Sequence, residues 1–189
     1  MPPERLAKRA AFLDRLARER RRTLLEVGTG PGRDGVRFAE AGLGYAGVDL
    51  APASVVAAKE AGLRVCVASV LELPFPDHSF EAAWTMSTLM HVAGDDFRTA
   101  LGEIVRVLRP GAPLGIGLWG GERVGEGCWD DGSGFGPRFF SLRTDEVLRA
   151  TLDEFATLED FEVWPGDGGL HYQWAVLRTP AEDVLNGAD

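Results

Sequence analysis

Cysteines and long apolar segments are both scarce in this sequence. Only two cysteines occur among 189 residues, Cys66 in an apolar run and Cys128 in a glycine-rich one. This excludes the disulfide framework of a small secreted protein and the paired cysteines of a zinc site, and it predicts two free thiols. The longest apolar runs have the length of a strand, well below the ~20 residues that span a bilayer. The first residues also lack the apolar core of a secretory signal, so we expect a cytoplasmic protein without a membrane contact.

Positive charge is scarce as well, and it is unevenly distributed. The net charge of -9 argues against nucleic-acid binding through many phosphate contacts. Residues 1–22 nevertheless hold eight Lys or Arg against three Asp or Glu. One interpretation is an amphipathic basic helix with its cations in solvent, and the other is a helix that contacts RNA or an anionic substrate. The first interpretation predicts an apolar stripe of Leu6, Ala10, Leu13 and Ala17 and solvated cations at Arg5, Lys8, Arg9, Arg15 and Arg18.

Histidine is rare, and its three positions lack the spacing of metal ligands. His78, His91 and His171 lie in different parts of the chain. The acidic pair Asp130 and Asp131 sits in a glycine-rich stretch. We therefore predict no metal site.

Strand-like and helix-like segments alternate along most of the chain. This alternation predicts a single α/β domain over residues 1–189, with helices on both faces of a mostly parallel sheet. A glycine-rich turn at 165–169 joins the last two strands and predicts that the final strand is antiparallel. The predicted strands are 23–27, 45–49, 64–68, 80–85, 113–119, 157–164 and 171–178. After the basic helix in 1–22, the predicted helices are 33–41, 53–60, 95–108 and 144–152.

Residues 120–143 interrupt this alternation. They contain seven glycines interleaved with aromatic residues. An irregular segment of this length is usually functional or disordered, so we predict a glycine-rich lid or substrate loop. The alternative is an insertion whose aromatic side chains only attach it to the core.

The strongest local motif is the run from Glu26 to Gly32, which joins a buried strand to a helix. Its alternate glycines, Gly28, Gly30 and Gly32, allow a sharp turn and a close approach to a ligand. The start of the following helix offers free N–H groups to an anion. Arg33 occupies the third glycine position of the dinucleotide-binding pattern, which disfavours a nicotinamide cofactor.

An acid ends the second predicted strand. Asp49 stands where sheet-end carboxylates accept hydrogen bonds from a ribose diol. The same acid suits several nucleoside cofactors, so it locates a nucleoside without identifying it. The alternative role for Asp49 is a cap for the next helix, although Pro52 and Ser54 already mark that helix start.

These motifs resemble class I S-adenosylmethionine (SAM) dependent methyltransferases, particularly the small "type 11" group. The resemblance rests on the glycine loop, on the stretch from Ala68 to Glu81 with its Leu-Pro-Phe and Ser-Phe steps, and on the helix-to-strand junction at 105–112. It covers residues 23–178. It implies a Rossmann-like three-layer sandwich with a seven-stranded, mostly parallel sheet of order 3-2-1-4-5-7-6 and an antiparallel last strand. It also implies SAM as the cofactor and S-adenosylhomocysteine (SAH) as a product.

The resemblance implies roles for individual residues. The loop amides would bind the methionine carboxylate, Glu26 would balance the cationic groups, and Asp49 would bind the ribose. Ser69 departs from the family, which usually has an acid there for the adenine amino group. The implied cofactor-binding residues are Glu26, Gly28, Thr29, Gly30, Gly32, Asp49, Leu50, Ser69, Val70, Thr85 and Met86.

Two histidines are candidates for acid–base catalysis. His91 resembles a histidine common at this place in the family. His171 and Tyr172 begin the last strand, where we expect both to face the acceptor pocket beneath the glycine-rich lid. The alternatives are a packed histidine bonded to the backbone for His91 and a surface hairpin residue for His171. Four aromatic residues are candidates for the wall of an acceptor pocket: Trp119, Trp129, Phe135 and Phe140.

The function implied is methyl transfer to a nucleophilic oxygen or nitrogen of a small-molecule acceptor. Three alternatives remain open at the level of sequence. The first is a non-catalytic SAM-binding or partner-binding module. The others are a tRNA methyltransferase, which the basic helix allows, and an NAD-dependent oxidoreductase.

Overall fold

The computed structural model describes residues 3–122, 125–130, 132, 134, 136–166 and 169–181. The strands are β1 (Thr23–Val27), β2 (Gly44–Asp49), β3 (Val65–Val67), β4 (Ala83–Met86), β5 (Pro113–Gly121), β6 (Gly125–Trp129), β7 (Arg138–Leu142), β8 (Thr157–Pro165) and β9 (Leu170–Arg178). The helices are α1 (Pro3–Arg18), α2 (Gly35–Glu40), α3 (Pro52–Glu60), α4 (Asp96–Val107) and α5 (Asp145–Asp153), with a short 3-10 helix at Leu89–His91.

Seven of these strands form one twisted sheet in the order β3-β2-β1-β4-β5-β9-β8. Neighbours from β3 to β5 pair in parallel, whereas β9 is antiparallel to both β5 and β8. When only the strands of this sheet are numbered, the order is 3-2-1-4-5-7-6. The predicted fold class is therefore confirmed.

Helices cover both faces of the sheet, which explains why its central strands are apolar throughout. All four residues of β4 are buried, as expected for a strand of a parallel sheet with two covered faces. One core lies under α4 and α5 and includes Phe97, Ile104 and Leu148. The other lies under α1, α2 and α3 and includes Phe12 and Phe38. The site therefore rests on a rigid three-layer support.

The boundaries of two predicted elements are corrected. β4 begins at Ala83 and not at Phe80, because Phe80 forms a separate bridge with Leu108. α2 begins at Gly35 and not at Arg33, because the glycine turn continues for two further residues.

The predicted apolar stripe of α1 is wrong. Leu6 is 43% exposed, whereas Phe12 and Leu16 are the buried residues of the helix. Four of the five predicted cations are not solvated either, because they pair with acids of the body: Arg5 and Arg9 with Asp34, Lys8 with Glu162, and Arg15 with Glu159. Arg18 is exposed as predicted. A buried carboxylate is costly unless it is paired, and this turns the helix toward Asp34.

Residues 120–143 are more regular than predicted. β5 extends to Gly121, and β6 and β7 pair as an antiparallel hairpin from Gly125 opposite Leu142 to Trp129 opposite Arg138. We call β6 and β7 together, residues 125–129 and 138–142, the hairpin. Glu126 Oε1 accepts hydrogen bonds from Gly94 N and from Ser141 Oγ, each 2.6 Å long. The hairpin is therefore tied to the loop that precedes α4.

Among the described residues, no helix combines the length and the apolar character that a bilayer-spanning segment needs.

Replacing Phe12 by alanine should loosen α1 from the sheet. The Phe12 ring lies 5.2 Å from that of Trp84 and is 2% exposed, so the truncation should lower the free energy of unfolding by about 3–5 kcal/mol. Leu6→Ala on the same helix is the control and should cost less than ~1 kcal/mol. Urea unfolding of both variants measures the difference. Equal losses would contradict the packing described.

Candidate cofactor and acceptor site

The site lies at the carboxyl ends of β1 and β4, the two central strands of the sheet. The chain leaves β1 toward β2 on one side, and it leaves β4 toward β5 on the other. Such a switch of direction opens a crevice at the strand ends, where ligands of open α/β sheets bind. The glycine loop follows β1, and Ser87 and Thr88 follow β4.

The three loop glycines all adopt positive φ angles. Gly28 and Gly30 differ in what surrounds them. A Cβ on Gly28 would lie 1.8 Å from Thr88 Oγ1, so the two loops touch at this residue. A Cβ on Gly30, whose φ is +52°, would meet nothing within 4 Å. Gly28 is therefore required by the protein's own packing, whereas Gly30 borders open space that a ligand can fill.

Asp49 links the glycine loop to the end of β2. Its Oδ2 accepts a hydrogen bond of 2.7 Å from Gly30 N, and its Oδ1 accepts one of 2.8 Å from Ala51 N. Asp49 is not the N-cap residue of α3, which is Ala51, but its Oδ1 holds the amide of that residue at the helix start. Each carboxylate oxygen keeps a second lone pair for a ribose hydroxyl.

Glu26 lies buried beneath the loop, where Tyr45 donates a hydrogen bond of 2.5 Å to its Oε2. Burial raises the pKa of Glu26 to about 8, and the negative charges of Asp34 and Asp49 add to this, while the Tyr45 hydrogen bond opposes it. Burial also raises the pKa of Tyr45, which therefore remains a donor. Thr29 is buried in the same place, and its Oγ1 donates to Val48 O.

The residues expected to contact adenine form an open surface. Leu50, next to Asp49, is 72% exposed, which is unusual for leucine. Val70 is half-buried against the core under α4. Ser69 Oγ accepts a hydrogen bond from Leu71 N at 3.2 Å, so part of its capacity serves a local turn. The adenine role of these residues stays a prediction.

The side chains of Thr85 and Met86 point to opposite faces of the sheet. Successive strand residues point to opposite faces of a sheet. Thr85 is buried, and its Oγ1 has no hydrogen-bond partner among the described residues. Met86 belongs to the core under α1, where Gly117 leaves room for its sulfur. The expectation that both side chains line the methyl-transfer path is therefore corrected for Met86.

His91 lies in the 3-10 helix after β4, covered by the hairpin. Its Nδ1 is 2.6 Å from the carbonyl oxygen of Phe139, and its ring lies 4.8 Å from that of Phe140. Since a carbonyl only accepts, Nδ1 must carry the proton, and Nε2 of the neutral ring is then an acceptor. This Nε2 is buried and has no partner among the described residues.

His171 and Tyr172 lie on opposite faces of the sheet, so they do not face one pocket as predicted. His171 Nε2 is 2.7 Å from Asp145 Oδ1, which also accepts a hydrogen bond of 2.7 Å from Gln173 Nε2. The Tyr172 hydroxyl instead lies 2.9 Å from Ser87 Oγ. The period of two along β9 causes the separation.

The predicted aromatic wall divides into two ring pairs. Trp119 contacts Tyr172 edge-on with ring centroids 5.2 Å apart. Trp129 stacks on Phe140 at 4.7 Å within the hairpin. Phe135 lies outside the described residues, as does Asp131.

Several polar residues of the site were not predicted as site residues. Asp34 has the sequence position of an ordinary helix N-cap, yet its side chain caps nothing. Thr88, Asp145 and Gln173 become recognisable only when the loops and α5 meet at the strand ends. No local sequence pattern marks them.

The raised pKa of Glu26 predicts a pH-dependent stability. The folded protein holds this proton up to about pH 8, whereas the unfolded chain loses it near the ordinary value of 4.5. The free energy of unfolding should therefore fall between these two values, by up to about 1.4 kcal/mol per pH unit. Glu26→Gln should abolish this part of the decline, and the exposed Glu40→Gln should retain it. Urea titrations at several pH values compare the slopes, and an unchanged slope in Glu26→Gln would contradict the burial argument.

The chain is similar to known methyltransferases over the glycine loop and the central strands. A family model described as a methyltransferase domain matches residues 25–116. An O-methyltransferase of Aspergillus nomiae is 37% identical over 112 residues, which make up 54% of this chain and 49% of that protein. The chain thus spans about half the length of this curated relative.

Solved structures match over more of the chain. A SAM-dependent methyltransferase of Methanosarcina mazei has the same fold, with a TM-score of 0.75 and 20% identity over 85% of this chain and 93% of that one. The 1,6-didemethyltoxoflavin-N1-methyltransferase of Burkholderia thailandensis, with bound 1,6-didemethyltoxoflavin and SAH, has a TM-score of 0.72 and 26% identity over 92% of this chain and 77% of that one. Over residues 25–116 the chain is therefore similar to a methyltransferase domain, and it has the fold of the SAM-dependent methyltransferases.

Proposed function

We propose that this protein transfers the methyl group of SAM to a hydroxyl oxygen of a small-molecule acceptor. The observation that carries this proposal is the buried Nε2 of His91, which has no hydrogen-bond partner in the described part of the chain and which the hydrogen bond at Nδ1 leaves as a proton acceptor. It lies just after β4, at the strand end that faces the crevice.

The residues at the glycine loop fit SAM. The open space at Gly30 accommodates the cofactor, and the loop amides suit its carboxylate. Asp49 offers free lone pairs to the ribose, and the exposed Leu50 offers an apolar surface to adenine. When bound, SAM supplies an electrophilic methyl group on a sulfonium. The main contribution of the protein is then to align the acceptor and keep it away from water.

His91 would accept the proton of the acceptor hydroxyl at Nε2. A proton acceptor is useful for a hydroxyl because the neutral oxygen is a poor nucleophile. The carbonyl of Phe139 fixes the ring in the required tautomer and stabilises the imidazolium that forms. His171, oriented by Asp145, is the alternative base.

The hairpin is suited to act as a lid over the acceptor. It contacts His91 through Phe139 and Phe140, and Glu126 fastens it to Gly94. We propose that residues 120–143 close this part of a single domain spanning 1–189. Closure would exclude water from the transferring methyl group.

A small acceptor is supported by charge and by the relatives. Four cations of the basic helix pair with acids of the body, which leaves less positive surface for tRNA. The Aspergillus relative is named an O-methyltransferase, and the Burkholderia structure contains a small heteroaromatic substrate. A cytoplasmic location is supported by a separate observation, the two free cysteines, because thiols remain reduced there.

The decisive test replaces His91 by asparagine. With labelled SAM and a panel of phenols, alcohols, amines and bulk tRNA, the wild-type protein should label a hydroxylated small molecule. His91→Asn should lower kcat for that acceptor by roughly 10²–10⁴-fold and leave the Kd of SAH within about twofold of wild type.

His78→Asn is the matched control. His78 also binds a backbone carbonyl through Nδ1, that of Leu108, and its positive φ of 57° is well tolerated by asparagine. This variant should keep wild-type kcat. Loss of activity in His171→Asn alone would transfer the role to His171, and SAH binding without turnover on the whole panel would favour a non-catalytic binding protein. Preferential labelling of amines or tRNA would contradict the hydroxyl assignment.

Replacing Gly30 by alanine tests the cofactor loop. The new Cβ would occupy the open space assigned to the cofactor, so the Kd of SAH should rise roughly tenfold or more. Gly42→Ala is the control, because Gly42 also has a positive φ, of +84°, and free space around a Cβ in the turn before β2. Both variants should lose about 1–2 kcal/mol of stability, but only Gly30→Ala should lose affinity in calorimetry. Equal affinities would place the cofactor elsewhere.

A further inference from the structure

Asp34 is a buried carboxylate directly after the glycine loop. It stands at the N-cap position of α2, but its side chain makes no capping hydrogen bond. Its carboxylate is completely inaccessible to solvent. An ionised carboxylate in such a place requires strong partners, or it becomes protonated.

Three side chains from two other elements supply these partners. Arg5 Nη2 donates to Oδ2 at 2.7 Å, and Arg9 Nη1 donates to Oδ1 at 2.6 Å. Trp84 Nε1 donates to Oδ2 at 3.2 Å. Asp34 thus joins α1 to the start of α2 and to β4, and we call these four residues the clamp.

The clamp keeps Asp34 ionised. Burial by itself raises the pKa of this carboxyl, but the charge and hydrogen bonds of Arg5, together with the hydrogen bonds of Arg9 and Trp84, outweigh burial and hold the pKa below its ordinary value. Hydrogen bonds between charged groups are stronger than those between neutral groups, and the planar guanidinium group also fixes the direction of its hydrogen bonds. The clamp therefore determines where the chain leaves the glycine loop.

The clamp lies next to the cofactor loop. Val36 N donates to Gly32 O at 3.0 Å, so the first turn of α2 is continuous with the last loop glycine. The charges of Arg5 and Asp34 act on Glu26 beneath the loop and on Tyr172 at the other side of β4. Movement of Asp34 would therefore disturb the loop directly.

Attachment of α1 does not depend on the clamp alone. Phe12 and Leu16 bury the middle of the helix, and Lys8 and Arg15 pair with acids of β8. Those contacts already hold the helix against the sheet. Two further arginines aimed at one buried acid beside the loop indicate an additional role.

We propose that Arg5 and Arg9 are positioning residues for the cofactor, acting through Asp34, so that the N-terminal helix α1 forms part of the cofactor site. The inference rests on the proposed cofactor role of the glycine loop and is independent of the acceptor. Cofactor affinity should then respond to changes in α1 that do not touch the cofactor.

The test compares two arginines of the clamp with one arginine outside it. Arg5→Met and Arg9→Met remove the charge and keep an unbranched apolar stem. Arg15→Met, the control, breaks the pair with Glu159 on the same helix. The Kd of SAH, measured by calorimetry on the full chain, should rise roughly tenfold or more for the clamp variants and less than about twofold for the control.

Two further variants separate positioning from stability. Arg5→Lys keeps the charge without the fork and should restore part of the lost affinity. Asp34→Asn combined with Arg5→Met removes the buried charge that has lost one of its two guanidinium partners, so this variant should fold even where Arg5→Met alone does not. Its affinity for SAH should remain weak if the clamp positions the loop.

The outcomes distinguish the two proposals. A folded Arg5→Met protein, or the double variant, with wild-type SAH affinity would overturn the positioning role and leave the proposed function intact. Equal weakening by Arg15→Met would assign the effect to general stability and also overturn it. Failure of the wild-type protein to bind SAH at millimolar concentration would overturn both proposals.

Discussion

The contact between Gly28 and Thr88 joins the ends of the two central strands so closely that only glycine fits at the first position. Both loops are held by their own strands, β1 and β4, which pair in parallel over Leu25–Val27. The space beyond this contact is bounded by Gly30 and Asp49, which are themselves hydrogen-bonded to each other. A cofactor that enters there meets backbone that is already in place, so little ordering of the loop is needed on binding. The proposed cofactor site and the topology of the sheet thus depend on the same close approach.

Two buried acids beneath and beside this loop are stabilised in opposite ways. Within the described ranges, the Tyr45 hydroxyl is the one close donor to Glu26, and burial raises the pKa of Glu26 to about 8, so it is largely neutral near pH 7. Asp34 has two guanidinium groups and an indole, and these hold its pKa below the ordinary value. The charged acid attracts the basic helix, while the neutral one avoids the cost of a second unpaired charge in the same small volume. This division explains why α1 turns its arginines, and not its predicted apolar stripe, toward the protein.

On the opposite face of the sheet, the hairpin and α5 bring polar groups to the ends of β4, β5 and β9. Two buried acceptors, His91 Nε2 and Gln173 Oε1, have no donor within the described part of the chain. Buried acceptors are normally satisfied by protein, water or ligand. Their position near the strand ends agrees with a substrate that donates a hydrogen bond to them, as a hydroxyl group does. The fold is shared with enzymes that methylate different molecules, so this local chemistry carries more functional information than the topology.

The glycine loop and the acid at the end of β2 could be predicted from the residues, and the strand order from the family resemblance. These features depend on local spacing, on the alternation of strands and helices, and on a resemblance carried by short motifs. The sequence did not determine which residues meet across the crevice. The hairpin within 120–143 was predicted as a loop, because the seven glycines of this segment are not typical of strands. The pairing of Gly125–Trp129 with Arg138–Leu142 is therefore not visible in the sequence. The orientation of α1 was predicted from its apolar residues, but the buried charge of Asp34, 25 residues after Arg9, decided it. His171 and Tyr172 were assigned to one pocket, and the pleat of β9 separated them. Tertiary structure decided these points because burial makes charge pairing and strand facing stronger than any local preference.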